Sequence, residues 1–177
     1  HAAWWDDPRL GDSVGTWTDA AALAAYMNIL AERFTRLVEE VGDRLPQERR
    51  DLYQRLFDAA PRLFERNASH RNMTIVHGDA HVWNCFLPKT GGSVRFFDWD
   101  CWRIDTATDD LAYMIAMHWY PDRRRRCERH LLDRYHAALL THGVRGYDRR
   151  ALDDDYRLSV LWQIATPINQ FAIKIRR

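Results

Sequence analysis

Three side chains that suit metal-assisted chemistry lie close together in the middle of the sequence. Asp79 and Asn84 fall within Val76-His77-Gly78-Asp79-Ala80-His81-Val82-Trp83-Asn84, and Asp98 falls within Phe96-Phe97-Asp98-Trp99-Asp100, fourteen residues after Asn84. Carboxylate and amide oxygens are hard ligands. They suit Mg²⁺, which takes one or two carboxylates from a protein and completes its octahedron with nucleotide phosphates and water. An acid beside such a cation is placed to act as a base. Phosphoryl transfer needs those parts, a group to accept the proton of the attacking hydroxyl and cations to neutralise phosphate charge, since the protein itself does little covalent chemistry. Singly, each residue has a plainer explanation, because an isolated Asp most often caps a helix or a turn. The spacing of the three carries the argument.

In the protein-kinase catalytic loop an Asp and an Asn lie five positions apart, and a second metal-binding Asp follows a short hairpin later. Asp79, Asn84 and Asp98 keep that spacing. HGDAHVWN resembles the HGDxxxxN signature of aminoglycoside phosphotransferases and choline-kinase-like enzymes, FFDWD resembles their hydrophobic-D-[WF]-[DE] metal motif, and Asp109-Asp110-Leu111-Ala112 resembles the DLA that follows. The resemblance runs from His70 to Met117. It implies the C-terminal lobe of a protein-kinase-like fold and transfer of the γ-phosphoryl group of ATP to a hydroxyl of a small molecule. It also implies Asp79 as the catalytic base, Asn84 and Asp98 as Mg²⁺ ligands, Asp100 as an aid to a second metal and His77 as support for the loop. Asp109 or Asp110 would anchor that loop by hydrogen bonds, while the plainer reading makes Asp105 and Asp109 turn and cap residues.

The sequence departs from the family pattern in two places. Trp83 stands where a small residue is usual before Asn84, and the seventy residues upstream hold neither a Gly-rich phosphate loop nor a strand lysine paired with a helix glutamate. We therefore expect residues 1–177 to form one catalytic lobe whose nucleotide-gripping N-terminal lobe lies outside them. The abrupt start at His1, in a Trp-rich stretch, reads as that of a fragment or a processed product. These residues alone should bind nucleotide weakly with negligible turnover, and Trp4, Trp5 and Trp17 should expose apolar surface.

Helices must position the motif. Leu23, Tyr26, Met27, Leu30, Phe34, Leu37, Val38 and Val41 recur at helical spacing after a Thr18 or Asp19 cap and before Gly42. A second helix starts near Pro46, turns Leu52, Leu56, Ala59 and Leu63 inward, and is bent or ended by Pro61. Thr74 to Val76, Phe86 with Leu87, and Val94 to Phe97 read as short strands, the last two joined through Lys89-Thr90-Gly91-Gly92 as a hairpin. Helical spacing returns from Asp109 to His118, from Arg123 to Leu140, and from Asp154 to Ala165, where Pro167 should break it. The fold class is α+β and mainly helical, with a small β-hairpin element carrying the catalytic loop.

An acceptor bound between that loop and the later helices makes Asp153, Asp154, Asp155, Trp162 and Gln163 the candidates, and acids with an aromatic face suit a cationic amine. The plainer reading has Asp153 to Asp155 capping the last helix and Trp162 in the core. Charge narrows the partners. Lys and Arg number 26 against 25 Asp and Glu, so no global excess favours nucleic acid or a membrane surface, and Arg123 to Arg126 reads as a solvated helix start. Without an apolar run near 18 residues or a secretion signal, the chain reads as soluble and cytoplasmic. Cys85, Cys101 and Cys127 are too scattered for a zinc or redox pair, and His77 and His81 lack a third ligand at metal spacing, so both read as structural histidines. Two rival readings are a metal-dependent phosphoesterase, which lacks its DxH and GNH elements here, and a kinase-shaped binding or regulatory module.

Overall fold

The computed structural model describes residues 1–175 and is mainly helical, with two small antiparallel sheets among them. In chain order the elements are α1 (Ala20–Val41), α2 (Gln47–Ala68), β1 (Met73–Val76), β2 (Cys85–Phe86), β3 (Arg95–Phe96), β4 (Arg103–Thr106), α3 (Thr108–Ala112), α4 (Pro121–Thr141), α5 (Arg149–Trp162) and α6 (Thr166–Ile175). They gather into two compact units. One comprises His1–Trp17 with His70–Val160, the other Thr18–Ser69 with the chain from Leu161 onward.

The second unit is a helical cluster. The α1 helix starts as its spacing predicts, with the Asp19 carboxylate accepting the Ala22 N–H at 2.7 Å, and Gly42 follows its last residue. Leu30 and Leu37 are buried against Tyr53, Leu56, Ala165 and Ile168, and Phe34 lies 4.9 Å from the Tyr53 ring and 5.6 Å from that of Phe57. The inward face of α2 is set one residue round from the expected one. Tyr53, Leu56, Ala60 and Phe64 are buried, while Leu52 is exposed and Ala59 and Leu63 are half-buried. The aromatic rings fill the core better than the smaller residues beside them, because they remove more apolar area from water. Nor does Pro61 end α2, which runs on to Ala68 with the proline on its exposed side.

In the first unit β1 pairs with β4 from Met73 opposite Thr106 to Val76 opposite Arg103, and β2 with β3 from Cys85 opposite Phe96 to Phe86 opposite Arg95. The hairpin expectation holds. The β4 strand lay outside the expected strands, since Arg103-Ile104-Asp105-Thr106 is short and holds a single large apolar residue, and its pairing is made at long range. The N-terminal segment runs beside β1: Asp6 donates its N–H to the Met73 carbonyl at 2.9 Å and accepts the Met73 N–H at 2.9 Å, and Thr74 Oγ1 donates to the His1 carbonyl at 2.8 Å. Here the exposed-tryptophan expectation is corrected. Trp4 and Trp17 are half-buried against Leu10, Met73 and Ile104, and Trp5 packs at 4.7 Å on Tyr147.

Helix α3 passes at Tyr113 into a π turn, Tyr113–Met117, and a core of Ala112, Ile115, Leu132, Leu139, Val144, Tyr147, Leu152 and Tyr156 joins it to α4 and α5. The arginine block opens α4 as a solvated helix start, with Arg124 on Glu128 at 2.6 Å, Arg125 on Asp122, and Arg123 over the Trp119 ring at 4.5 Å. Two boundaries shift from those expected. α5 begins at Arg149, because Asp148 supplies the cap by accepting the Ala151 N–H at 2.7 Å, so Asp153 to Asp155 are interior to the helix. Pro167 does not break a helix either. It is the second residue of α6, where a missing N–H is tolerated because the first turn lacks intrahelical acceptors.

Candidate active site

The loop after β1 is held from beneath by one carboxylate. Asp110, buried in α3, accepts the His77 N–H at 2.8 Å on Oδ2 and the Gly78 N–H at 2.9 Å on Oδ1. His1 Nε2 reaches the same Oδ2 at 3.1 Å. Burial pushes the Asp110 carboxyl upward, and the two loop N–H groups pull the other way. Asp109 sits differently. Its carboxylate pairs at 2.5 Å with Arg103 of β4, whose guanidinium crowds Gly78. Burial pushes the Asp109 carboxyl up to about 7 against the pull of Arg103.

Gly78 has φ +78°, and a methyl group there would lie 2.1 Å from the Cys101 carbonyl oxygen and 2.6 Å from an Arg103 nitrogen. The loop and the Asp98-Trp99-Asp100-Cys101 turn thus touch backbone to backbone, which only glycine permits. Two hydrogen bonds fix the relation further. His77 Nε2 bonds the Phe97 carbonyl at 2.9 Å, and Phe97 N–H donates to the Asn84 carbonyl at 3.1 Å, one step beyond the β2 and β3 ladder. Because the Asp79 N–H donates to His77 Nδ1 at 3.3 Å, that nitrogen carries the lone pair and Nε2 carries the proton. Both nitrogens of His77 are engaged, Nδ1 by the loop and Nε2 by the Phe97 carbonyl, which leaves no lone pair for a metal.

Asn84 closes the constellation. Its buried Nδ2 donates to the Asp79 carbonyl at 3.0 Å and to the Asp79 carboxylate at 2.9 Å, which turns its Oδ1 away from both oxygens. Asp98 follows Phe97 in the left-handed region at φ +63°, a conformation that non-glycine residues adopt at a cost and that clusters at working sites. Asp98 and Asp100 are exposed. The thiol of Cys101 reports the local field: it is pushed up by burial and then by the carboxylates of Asp79, Asp100 and Asp98. Asp79, Asp98 and Asp100, which span positions 79 to 100 of the sequence, thus all act on one thiol, with Arg103 as the opposing charge.

With that geometry in hand, a model of the phosphotransferase enzyme family matches residues 11–152. The chain belongs to that family. No curated protein and no solved structure matches it. The phosphotransferase match covers both sequence motifs, the Asp110 anchor and α4, and it extends into both compact units. Among the described residues no helix is long and apolar enough to cross a membrane.

Among the described residues no three His, Cys, Asp or Glu side chains converge to hold a metal by themselves. The donor set nonetheless fits Mg²⁺, which asks only one or two protein oxygens when phosphates and water supply the rest. Asn84 Oδ1, left unengaged by the bonds that its Nδ2 makes to Asp79, and the exposed carboxylates of Asp98 and Asp100 are oxygens of that kind. The acceptor-side candidates are otherwise engaged. Asp153 pairs with Arg149, and Asp154 with Arg157 at 3.1 Å, all within α5, while Trp162 packs into the core of the second unit. Asp155 is buried under the Tyr147 hydroxyl, which donates to it at 2.9 Å. Sequence reasoning missed Arg103, since β4 was not expected, and the rings of Tyr113 and His118, which reach the loop because of the π turn. A five-residue separation off an α-helical face has no recognisable periodicity.

Proposed function

We propose that the protein transfers the γ-phosphoryl group of ATP to a hydroxyl group of a small molecule, and that Asp79 is the base. The observation that carries this reading is the double donation of Asn84 Nδ2 to Asp79, at 3.0 and 2.9 Å, in a loop that His77 and Phe97 tie to Asp98. What supports it is that one oxygen of the Asp79 carboxylate is occupied by an amide whose own oxygen makes no bond to Asp79, while Asp98 and Asp100 are exposed. The acceptor oxygen attacks the γ-phosphorus, its proton passes to Asp79, and ADP departs. Asn84 and Asp98 would hold Mg²⁺, with Asp100 beside them for a second ion. When bound, the cation neutralises phosphate charge.

Upstream of the motif the sequence holds no Gly-rich phosphate loop and no strand lysine paired with a helix glutamate, and we assign the grip on the β- and γ-phosphates to a nucleotide-binding lobe outside residues 1–177. A cytoplasmic location accords with the use of ATP. The test is transfer from labelled ATP by the natural full-length protein, with Mg²⁺ and a panel of amino alcohols, aminoglycosides and sugars, for wild type and Asp79→Asn. A labelled small molecule with wild type and none with the variant is expected. Equal labelling by both would overturn the assignment of Asp79 as base.

A further inference from the structure

Beside Asp79 lies a group of four rings in which one polar atom is unaccounted for. The His81 ring centroid is 5.4 Å from Trp83, 6.1 Å from Tyr113 and 5.1 Å from His118, and His118 lies 4.8 Å from Tyr113 and 5.8 Å from Trp83. His118 is steadied through Nδ1 on the Tyr113 carbonyl at 3.0 Å, across the π turn. Such turns recur at functional sites because they re-aim side chains that a regular helix would send elsewhere. The His81 backbone is fixed as well, its carbonyl accepting the Asn84 N–H at 3.0 Å and the Cys85 thiol at 3.2 Å.

Packed this way, His81 keeps 15% of its side chain exposed, with Nδ1 buried and without a partner and Nε2 3.4 Å from Asp79 Oδ2. A buried lone pair without a partner is tolerated more readily than a buried N–H without one. The proton of a neutral His81 therefore belongs on Nε2, the nitrogen that lies 3.4 Å from Asp79 Oδ2. The expectation of a satisfied structural histidine fails on this atom.

We propose that His81 is a positioning residue for Asp79: its Nε2–H, with Asn84 Nδ2, holds Oδ2 and leaves Oδ1 to face the acceptor hydroxyl. The proposal rests on Asp79 being the base. A separation of 3.4 Å is long for a hydrogen bond, and the proposal requires it to shorten as substrate binds, as catalytic hydrogen bonds do. Without this donor Asp79 is held by Asn84 alone, and rotation of the carboxylate would carry Oδ1 off line.

Two measurements on the natural full-length protein test it. Nitrogen NMR of labelled histidine should show His81 protonated on Nε2 alone, with that nitrogen's signal moving in Asp79→Asn; a proton on Nδ1 would overturn the proposal whatever the activity. ADP release from Mg-ATP, with the same acceptor panel present, should fall about 10- to 100-fold in kcat for His81→Ala, as expected for misplacement of a reacting group. The KM for Mg-ATP should stay within about twofold, as expected when the lost interaction belongs to the transition state. His81→Gln, which keeps an N–H donor at similar reach, should regain most of the rate. Equal losses in the two variants would mark a packing role and refute the proposal. If Asp79→Asn is inactive while His81→Ala keeps full rate, this inference alone fails; if Asp79→Asn keeps full rate, the reading of the base fails first.

Discussion

Replacing Gly78 with alanine should separate the loop from the Asp98 turn, and the size of the effect follows from two distances. The new methyl would sit 2.1 Å from the Cys101 carbonyl oxygen, and a C···O contact of ~3.3 Å is more than an ångström longer. That oxygen belongs to backbone, so the loop or the turn must move. The left-handed φ of +78° costs an alanine ~1–2 kcal/mol, and forcing an extra group into packed backbone costs a further ~1–3 kcal/mol, giving about 2–5 kcal/mol in stability. A shift of ~1 Å between Asp79 and Asp98 should lower kcat about 100-fold, equivalent to ~2.7 kcal/mol of barrier. Gly146 is the control. It has φ +70° with nothing near enough to touch a methyl, so Gly146→Ala should lose only the ~1–2 kcal/mol of the backbone term and no activity. Urea unfolding followed by the eight tryptophans gives the stabilities, and ADP release gives the rates. If Gly78→Ala costs no more than Gly146→Ala and turns over at the wild-type rate, the argument that backbone contact sets the site is wrong.

Three other outcomes are expected. Asp110→Ala leaves the buried N–H of His77 without its acceptor, at ~1–3 kcal/mol, and the half-buried N–H of Gly78 as well, partly offset by removing a buried carboxylate; amide exchange at both positions should quicken, and Asp109→Asn should leave it unchanged. Unaltered exchange in Asp110→Ala would refute the anchoring role. The folded-state value of Asp109 is raised from the usual 3.8 to about 7, so between those values the folded protein holds a proton that the unfolded chain releases. Stability from this group is complete below about pH 4 and is lost as pH rises through about 7. The urea midpoint of wild type should therefore fall relative to that of Asp109→Asn between pH 5 and pH 8, and parallel profiles would contradict it. Finally, Asp98→Ala should weaken nucleotide binding about tenfold or more in the presence of Mg²⁺ and leave it unchanged with Mg²⁺ chelated. Calorimetry that shows the same loss in both conditions would remove Asp98 from the ligand set.

Much of this was legible in the sequence because it is written in short-range terms. The Asp19 cap, the eight apolar positions of α1, the hairpin across Lys89 to Gly92 and the pairing of an Asp with an Asn five residues on all depend on neighbours in the chain. Motif spacing singled out Asp79, Asn84 and Asp98 and led to the phosphotransferase family, whose match spans residues 11–152. Errors arose where a local signal met a competing environment. Pro61 and Pro167 looked like breaks, yet one lies on an exposed helical side and the other in a first turn where its missing N–H is harmless. Asp153 to Asp155 looked like a helix cap until Asp148 took that place.

What only the tertiary structure decided is which partner each motif residue meets. The sequence offers Asp109 and Asp110 side by side, and nothing local says that Asp110 clamps two loop amides while Asp109 faces Arg103 of an unexpected strand. Nor does it say that Gly78 must be bare because Cys101 stands over it, or that a π turn carries Tyr113 and His118 onto His81. Residue types and spacings determine which chemistry the chain can do, since they fix the donors and acceptors available. Long-range pairing and burial determine which of those atoms are left free to do it, because every polar group that packing satisfies elsewhere is withdrawn from the site.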